Sequence, residues 1–339
     1  MENWKSFLRA NPLDWLLEED NPSVRFFTLT ELEGYPADDP RVLEAQRQIM
    51  TSGLAQLLLA RQVEDGYWGR LEDFYIRSKY KGTVWTFLIL VQLGADQNDP
   101  RIHKTCEFIL DHAQDPESGG FAYKEAQKKI GDPNGIIPCL TGNMLWATIR
   151  CGYLNDSRVH KGIDWITKNQ RTDDGESWPL DNPLYQRFEK CWGRHTCMMG
   201  VVKGLKALTE IPEENRSPVV QSTIHRCAEF ILQHHIYRRS HNLVQTANPA
   251  WELFGFPLMW NTDVLEMLDL LTRLGYRDPR MKEAIELVLA KQDEQGRWKL
   301  EQTFNGRMLA RIEKEGQPSK WVTLRALIVL KRVLSSRST

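Results

Sequence analysis

The sequence predicts an all-α fold: one closed ring of six helix pairs over residues 1–339, inner and outer helices alternating, with almost no strand. Three observations predict it. A Leu-Gly or Cys-Gly stop followed by an acidic restart recurs at Leu93-Gly94 before Asp99-Pro100-Arg101, Cys151-Gly152 before Asp156-Ser157-Arg158, and Leu274-Gly275 before Asp278-Pro279-Arg280, with an earlier restart at Asp39-Pro40-Arg41. The restarts stand at 39, 99, 156 and 278, so the gaps are 60, 57 and 122 residues, the last being two periods of 61; a period of this kind marks a repeat architecture. Helices apolar on one face alternate with helices apolar nearly all round, and the latter number six, near 22–33, 83–93, 142–151, 196–208, 261–274 and 320–334.

Taken in order, the amphipathic stretch Trp4 to Leu17 supplies an outer helix that closes the ring. Each restart is a helix N-terminus: the Asp carboxylate accepts from orphan amides as N-cap, and Pro at the first helical position loses no needed donor. Each Leu-Gly is a helix stop, since Gly supplies the left-handed residue that ends a helix. Behind the restarts, Ile102, Cys106, Ile109 and Ala113, like Met281, Ile285, Val288 and Leu289, fall on one face while Lys, Glu and Arg fill the other, which predicts half-solvated outer helices. Val84 to Leu93, Met144 to Ile149, Met198 to Leu208, Val264 to Leu271 and Val322 to Leu330 are apolar all round and belong inside.

Composition narrows the function classes. With 44 basic and 45 acidic residues the net charge is -1, so the bulk electrostatics that non-specific nucleic-acid binding depends on are missing. The start Met-Glu-Asn-Trp has no leader pattern, and the greasiest stretch, Val84 to Leu93, is too short to span a bilayer. These features predict a soluble, cytoplasmic protein in which the six cysteines are core thiols, metal ligands or nucleophiles rather than a disulfide framework.

The outer helices end in a second recurring pattern: Gln62 to Gly66 and Trp68, Gln170 to Gly175 and Trp178, Gln292 to Gly296 and Trp298, with Gln114 to Gly120 and Phe121 as a variant. These segments resemble the Gln-Trp motifs of squalene and oxidosqualene cyclases, and the whole chain is similar in plan to the α/α toroid of terpenoid cyclases and protein prenyltransferase β subunits. The resemblance implies structural staples at these Gln and Trp residues and a substrate cavity inside the ring. It does not extend to a catalytic set. The Asp-x-Asp-Asp acid motif, the Asp-x-Cys zinc pair and the Cys-His zinc dipeptide of such toroid enzymes are all missing, and Thr172-Asp173-Asp174-Gly175-Glu176 belongs to a staple.

Candidate chemistry gathers in the segments that open the inner helices. Cys191, His195 and Cys197 lead the fourth, and Cys139 leads the third; three thiols and an imidazole make a tetrahedral zinc set by ligand type. A metal-free Cys/His pair and simple core thiols remain open readings of the same residues. Arg77 and Lys81 before the second inner helix, Arg194 in the fourth and Lys320 in the sixth place cations near helix N-termini, a pattern suited to a phosphate, diphosphate or carboxylate. Trp85, Asn143 and Trp260 complete the expected substrate wall, and Asp263 is an acid candidate or a first-turn cap. The leading reading is an enzyme that takes an amphiphilic small-molecule or lipid-like substrate, an apolar or isoprenoid-like body with an anionic head, with zinc on Cys139, Cys191, His195 and Cys197. Two others stand beside it: a non-catalytic toroid that binds a ligand or peptide, and a metal-free proton-transfer enzyme using Asp263 or His195. No partner subunit is indicated.

Overall fold

The computed structural model describes residues 4–71, 79–123, 131–175, 191 and 195–334. Helices α1 (Leu13–Leu16), α2 (Pro22–Phe27, continued as a π-turn to Glu33), α3 (Pro40–Thr51), α4 (Leu54–Leu59), α5 (Thr83–Gln92), α6 (Pro100–His112), α7 (Pro138–Thr148) and α8 (Ser157–Asn169) are followed by α9 (Met198–Thr209), α10 (Pro218–Gln233), α11 (Val264–Arg273), α12 (Lys282–Ala290) and α13 (Lys320–Leu334). The sole sheet among the described residues is a hairpin of β1 (Arg238–Arg239) and β2 (Asn242–Thr246). This is an all-α (α/α)6 toroid. Helices α2, α5, α7, α9, α11 and α13 form the inner ring, where α5 packs on α7, α7 on α9, α9 on α11, α11 on α13, and α13 returns to α2. One buried apolar cluster runs from Trp4 to Leu330.

The restarts share one geometry. Asp39, Asp99, Asp156 and Asp278 each cap an amide two residues on, and the Arg at that position, Arg41, Arg101, Arg158 or Arg280, folds back onto the same carboxylate. Arg41 and Arg280 thereby hold the Asp39 and Asp278 carboxyls down to about 2. Arg158 also reaches Glu107 and Asp111 on α6, and Arg280 reaches Glu229 on α10, so the clamp stitches consecutive outer helices together.

The Gln-Gly-Trp segments join one outer element to the next. Gln62 Nε2 donates to the Arg101 carbonyl at 2.9 Å, and Gln114 Nε2 donates to the Arg158 carbonyl at 2.8 Å, each in the first turn of the following outer helix. The indole N–H groups of Trp68 and Trp298 donate back to the Leu58 and Val288 carbonyls at 2.8 and 2.7 Å, while Thr83 and Thr323, in the next inner helices, accept from the amides of the same tryptophans. Gln170 departs from the pattern, since its amide donates to Arg171 O. Trp178 lies outside the described residues.

The sixth outer position differs from expectation. Residues 4–17 are not a continuous helix: a 3-10 turn at Trp4–Phe7 and the single turn of α1 flank Asn11-Pro12, where proline removes a donor and breaks the run. The segment nonetheless closes the ring. Its Arg9 amide donates to Gln292, and Gly296, at φ +73°, lies so close that a Cβ would come within 2.0 Å of the Ala10 carbonyl oxygen. Gly66 and Gly119 meet Lys104 and Lys161 in the same way, at 2.5 Å from the backbone.

Trp68 and Trp298 are 1% and 0% exposed. Replacing either by Ala is expected to cost about 3–5 kcal/mol, as for other fully buried aromatics. Urea denaturation checks this, and unchanged midpoints in both variants would contradict the staple geometry.

Candidate functional site

All six inner helices contribute to the lining of one cavity of about 180 Å3, α2, α5, α7 and α9 from their C-terminal ends and α11 and α13 along most of their length. Its deep wall is apolar and aromatic: Phe27, Trp146, Leu258, Phe256, Trp321 and Leu324. The loop 253–262 fills the opposite, N-terminal mouth of the ring. Phe256 stacks on Trp321 at 4.0 Å between ring centroids, Trp260 Nε1 donates to Tyr80 Oη at 3.1 Å, and Asn143 Nδ2 donates to the Met259 carbonyl at 3.1 Å.

The rim is a ladder of alternating charge built from helix ends. Arg150 bonds Glu210 at 3.3 Å, Glu210 bonds Arg273 at 2.8 Å, Arg273 stands 3.7 Å from Asp269, Asp269 bonds Arg332 at 2.5 Å, and Arg332 bonds Glu31 at 3.1 Å. Its cations lie at the C-terminal ends of α11 and α13 and just beyond α7, where the helix dipole favours positive charge. Burial opposes ionisation of Asp269, but Arg273 and Arg332 hold its carboxyl below the usual range.

Below the rim lies a second set of charges. Lys203 Nζ donates to both Glu266 oxygens, at 2.8 and 2.6 Å, and Lys206 Nζ reaches Glu266 Oε1 at 3.2 Å. The Lys203 and Glu266 side chains are 1% and 7% exposed. The sequence allows this crossing because Gly142 of α7 has no side chain: a Cβ there would meet the Lys203 carbonyl carbon at 2.3 Å. Burial raises the cost of charging Glu266, yet Lys203 and Lys206 hold its carboxyl down to about 2. Burial, aided by Lys203 and opposed by Glu266, pulls Lys206 down to about 8. Its Nζ sits 3.9 Å from the centroid of the Trp146 ring, whose indole N–H donates to Glu210.

The described residues expected to form the site do not line this cavity. Asp263 is fully buried and caps α11 through the Glu266 amide at 2.8 Å, while Arg325 bonds its carboxylate at 2.6 and 2.9 Å and Gly255 N–H donates to it at 3.2 Å. That environment leaves it as an anchor. Lys320 points away from the cavity, into an ion pair with Glu18 and Asp20 that fixes the α1–α2 turn. Trp85 is core, beside Tyr80; Lys81 is exposed; Asn143 and Trp260 hold the loop rather than a ligand. Arg77 and Arg194 lie outside the described residues. The 253–262 loop packs among these residues, bonded to Asn143 and Tyr80.

The structure gives the zinc expectation no support among the described residues. Cys139, Cys191 and Cys197 are close enough to raise one another's charging cost, but His195 is exposed on a separate cavity, and among the described residues no group of three or more His, Cys, Asp or Glu side chains could hold a metal. Burial pushes the Cys191 thiol up to about 11, with Cys197 adding to it, and raises Cys139 and Cys197 too. The cavity beside His195 and Cys197 measures about 750 Å3 and also meets His234, His241 and Trp251. There Asp174 faces His241 at 3.3 Å and His234 at 3.9 Å, and the buried Trp251 indole N–H meets no acceptor among the described residues.

Sequence reasoning missed Lys203, Lys206, Glu266, Asp269, Arg273 and Arg325. The available signal was charge inside helices that are otherwise apolar all round.

No protein-family model and no curated protein matches the chain. Solved structures match over most of its length: a protein from Actinoplanes at 15% identity, covering 98% of this chain and 100% of that one with a TM-score of 0.48; the type II terpene cyclase MstE from Scytonema at 15%, 93%, 87% and 0.41 in the same order; and an unsaturated glucuronyl hydrolase specific for heparin at 12%, 96%, 86% and 0.44. At this level of likeness the assignment of the ring rests on the chain's own geometry. Among the described residues, no helix is long and apolar enough to cross a membrane.

Glu266→Gln would leave the Lys203 ammonium buried without its counter-charge, and a loss of about 3–5 kcal/mol is expected in chemical denaturation. The folded carboxyl titrates near 2 against an ordinary 4.5. Its contribution is therefore complete above pH 4.5 and lost as pH falls through that window, because there the unfolded chain binds more protons. Melting temperature against pH should fall more shallowly across this window in Glu266→Gln than in the parent; identical slopes would contradict the pairing.

Proposed function

We propose that the chain is an enzyme whose central cavity takes a small amphiphile, its anionic head at the rim and its apolar body against the aromatic wall. The observation that carries this reading is the layering of the cavity: Trp146, Phe256 and Trp321 lie below, and Arg150, Arg273 and Arg332 lie above. Aromatic faces suit an apolar or isoprenoid-like body and any positive charge that develops on it. The guanidinium groups, already alternating with carboxylates, offer fork-shaped donors to a phosphate or carboxylate head. The volume of about 180 Å3 is below the roughly 300–1,000 Å3 of drug-sized sites, which favours a short body or one end of a longer one. Lys206, with its ammonium held near neutrality by burial, is the group in this cavity suited to accept or give a proton at working pH.

Among the described residues no donor set fits zinc. Proton transfer is the chemistry that this chain's residues support, with Lys206 as the acid or base, Glu266 holding its position and Arg273 orienting the head.

Geranyl diphosphate and geraniol, titrated while tryptophan emission is followed, test the reading. The diphosphate is expected to bind at least about tenfold more tightly, a difference of about 1.4 kcal/mol, and Arg273→Ala should remove most of that preference while geraniol still binds. Equal binding of the two, or none, would overturn the anionic-head assignment. Product analysis of the bound compound separates an enzyme from a carrier.

A further inference from the structure

Two lysines one helical turn apart share one carboxylate at the cavity wall. Lys203 takes both oxygens of Glu266 and is sealed from solvent; Lys206 holds a single contact at 3.2 Å and faces the cavity beside Trp146. Every other charged group around them is already engaged. On the α9 side Glu210 takes Arg150 and Arg273, on α11 Asp269 takes Arg273 and Arg332, and on α13 Arg325 takes Asp263. The pair therefore carries one ammonium more than its carboxylate can balance, and the proton that is cheapest to lose belongs to the lysine with fewer partners. Such an amine, desolvated next to a second cation and open to an apolar cavity, is a nucleophile at neutral pH.

We propose that Lys206 is the nucleophile of a covalent carbonyl site, which forms a Schiff base with an oxo acid. The Nζ lone pair adds to the carbonyl carbon to give a carbinolamine. The C–O bond then breaks, the oxygen leaves as water with the two amine protons, and a C=N bond remains, with no change of oxidation state. Once protonated, the imine keeps the positive charge that Glu266 balances, and it lies over the face of Trp146, where a cation is favoured. The oxo acid's carboxylate would meet Arg150 or Arg273 at the rim, and its apolar remainder would meet Phe256 and Trp321. At pH 8 about half of the Lys206 side chains are neutral, against well under one in a hundred for an ordinary lysine.

This inference rests on the amphiphile reading and names the head-group chemistry within it. The test uses the full chain with acetoacetate and sodium borohydride, read by intact mass and peptide mapping. The expected result is one borohydride-dependent adduct per chain on Lys206, more abundant at pH 8.5 than at pH 7, lost in Lys206→Arg and kept in Lys282→Arg, which changes an exposed lysine. Site selectivity in the parent protein decides the matter even if Lys206→Arg fails to fold. Labelling spread over exposed lysines, or none on Lys206, would overturn the Schiff-base assignment. If acetoacetate still quenches tryptophan emission in that case, the amphiphile reading survives; if neither acetoacetate nor geranyl diphosphate binds, both fall.

Discussion

The whole ring depends on one kind of contact: a glycine in the left-handed region at the end of an outer helix, set against the backbone of the next outer element. Gly66 on Lys104, Gly119 on Lys161 and Gly296 on Ala10 are the same joint repeated, and each is accompanied by a glutamine side chain reaching forward. A side chain at any of them would collide with backbone, which cannot step aside as a flexible side chain could. The joint sets the spacing of outer helices, and the threonines that accept from Trp68, Phe121 and Trp298 tie three inner helices, α5, α7 and α13, to the same corners. The last joint also explains how residues 4–17 close the ring without being a helix, since it needs only an exposed carbonyl at Ala10 and an amide at Arg9.

A closed ring gives buried charges a defined place. Burying Lys203 and Glu266 costs solvation that their mutual attraction offsets only with short, well-aligned bonds. The α7–α9 crossing at Gly142 supplies that alignment by letting the Lys203 backbone come close. Lys206, one turn along, inherits a carboxylate that is already satisfied. Burial, with Lys203 adding to it and Glu266 opposing it, holds its proton more loosely than that of an ordinary lysine. The rim ladder differs, since its members are partly exposed and each carboxylate in its middle already meets two guanidinium groups.

Much of the fold was legible because its signals are local. An aspartate cap, a proline at the first helical position and a stopping glycine act within a few residues, and they mark α3, α6, α8 and the α12 region in order. All-round apolarity identified the six inner helices because nothing else buries a helix on every face. The site was less legible. Which end of the inner helices stays open depends on where the 253–262 loop folds, and that is set by distant partners: Tyr80, Asn143 and Trp321. The cysteine and histidine cluster is a ligand set by composition, but composition does not reveal that His195 is exposed while Cys139 is buried. Lys203 and Lys206 were passed over because in a helix so apolar their pairing with Glu266, some sixty residues away, leaves no trace in local sequence.

The most direct test of this account compares two glycines that share a left-handed backbone but differ in surroundings. Gly296 has φ +73° and meets Ala10, whereas Gly34 has φ +75° and nothing within 4 Å. Alanine at either bears the backbone penalty of about 1–2 kcal/mol. Chemical denaturation of Gly296→Ala and Gly34→Ala should show a markedly larger loss for Gly296, because only there does the added methyl group push the closing segment away. Equal losses in the two variants would contradict the claim that close backbone contact closes the ring.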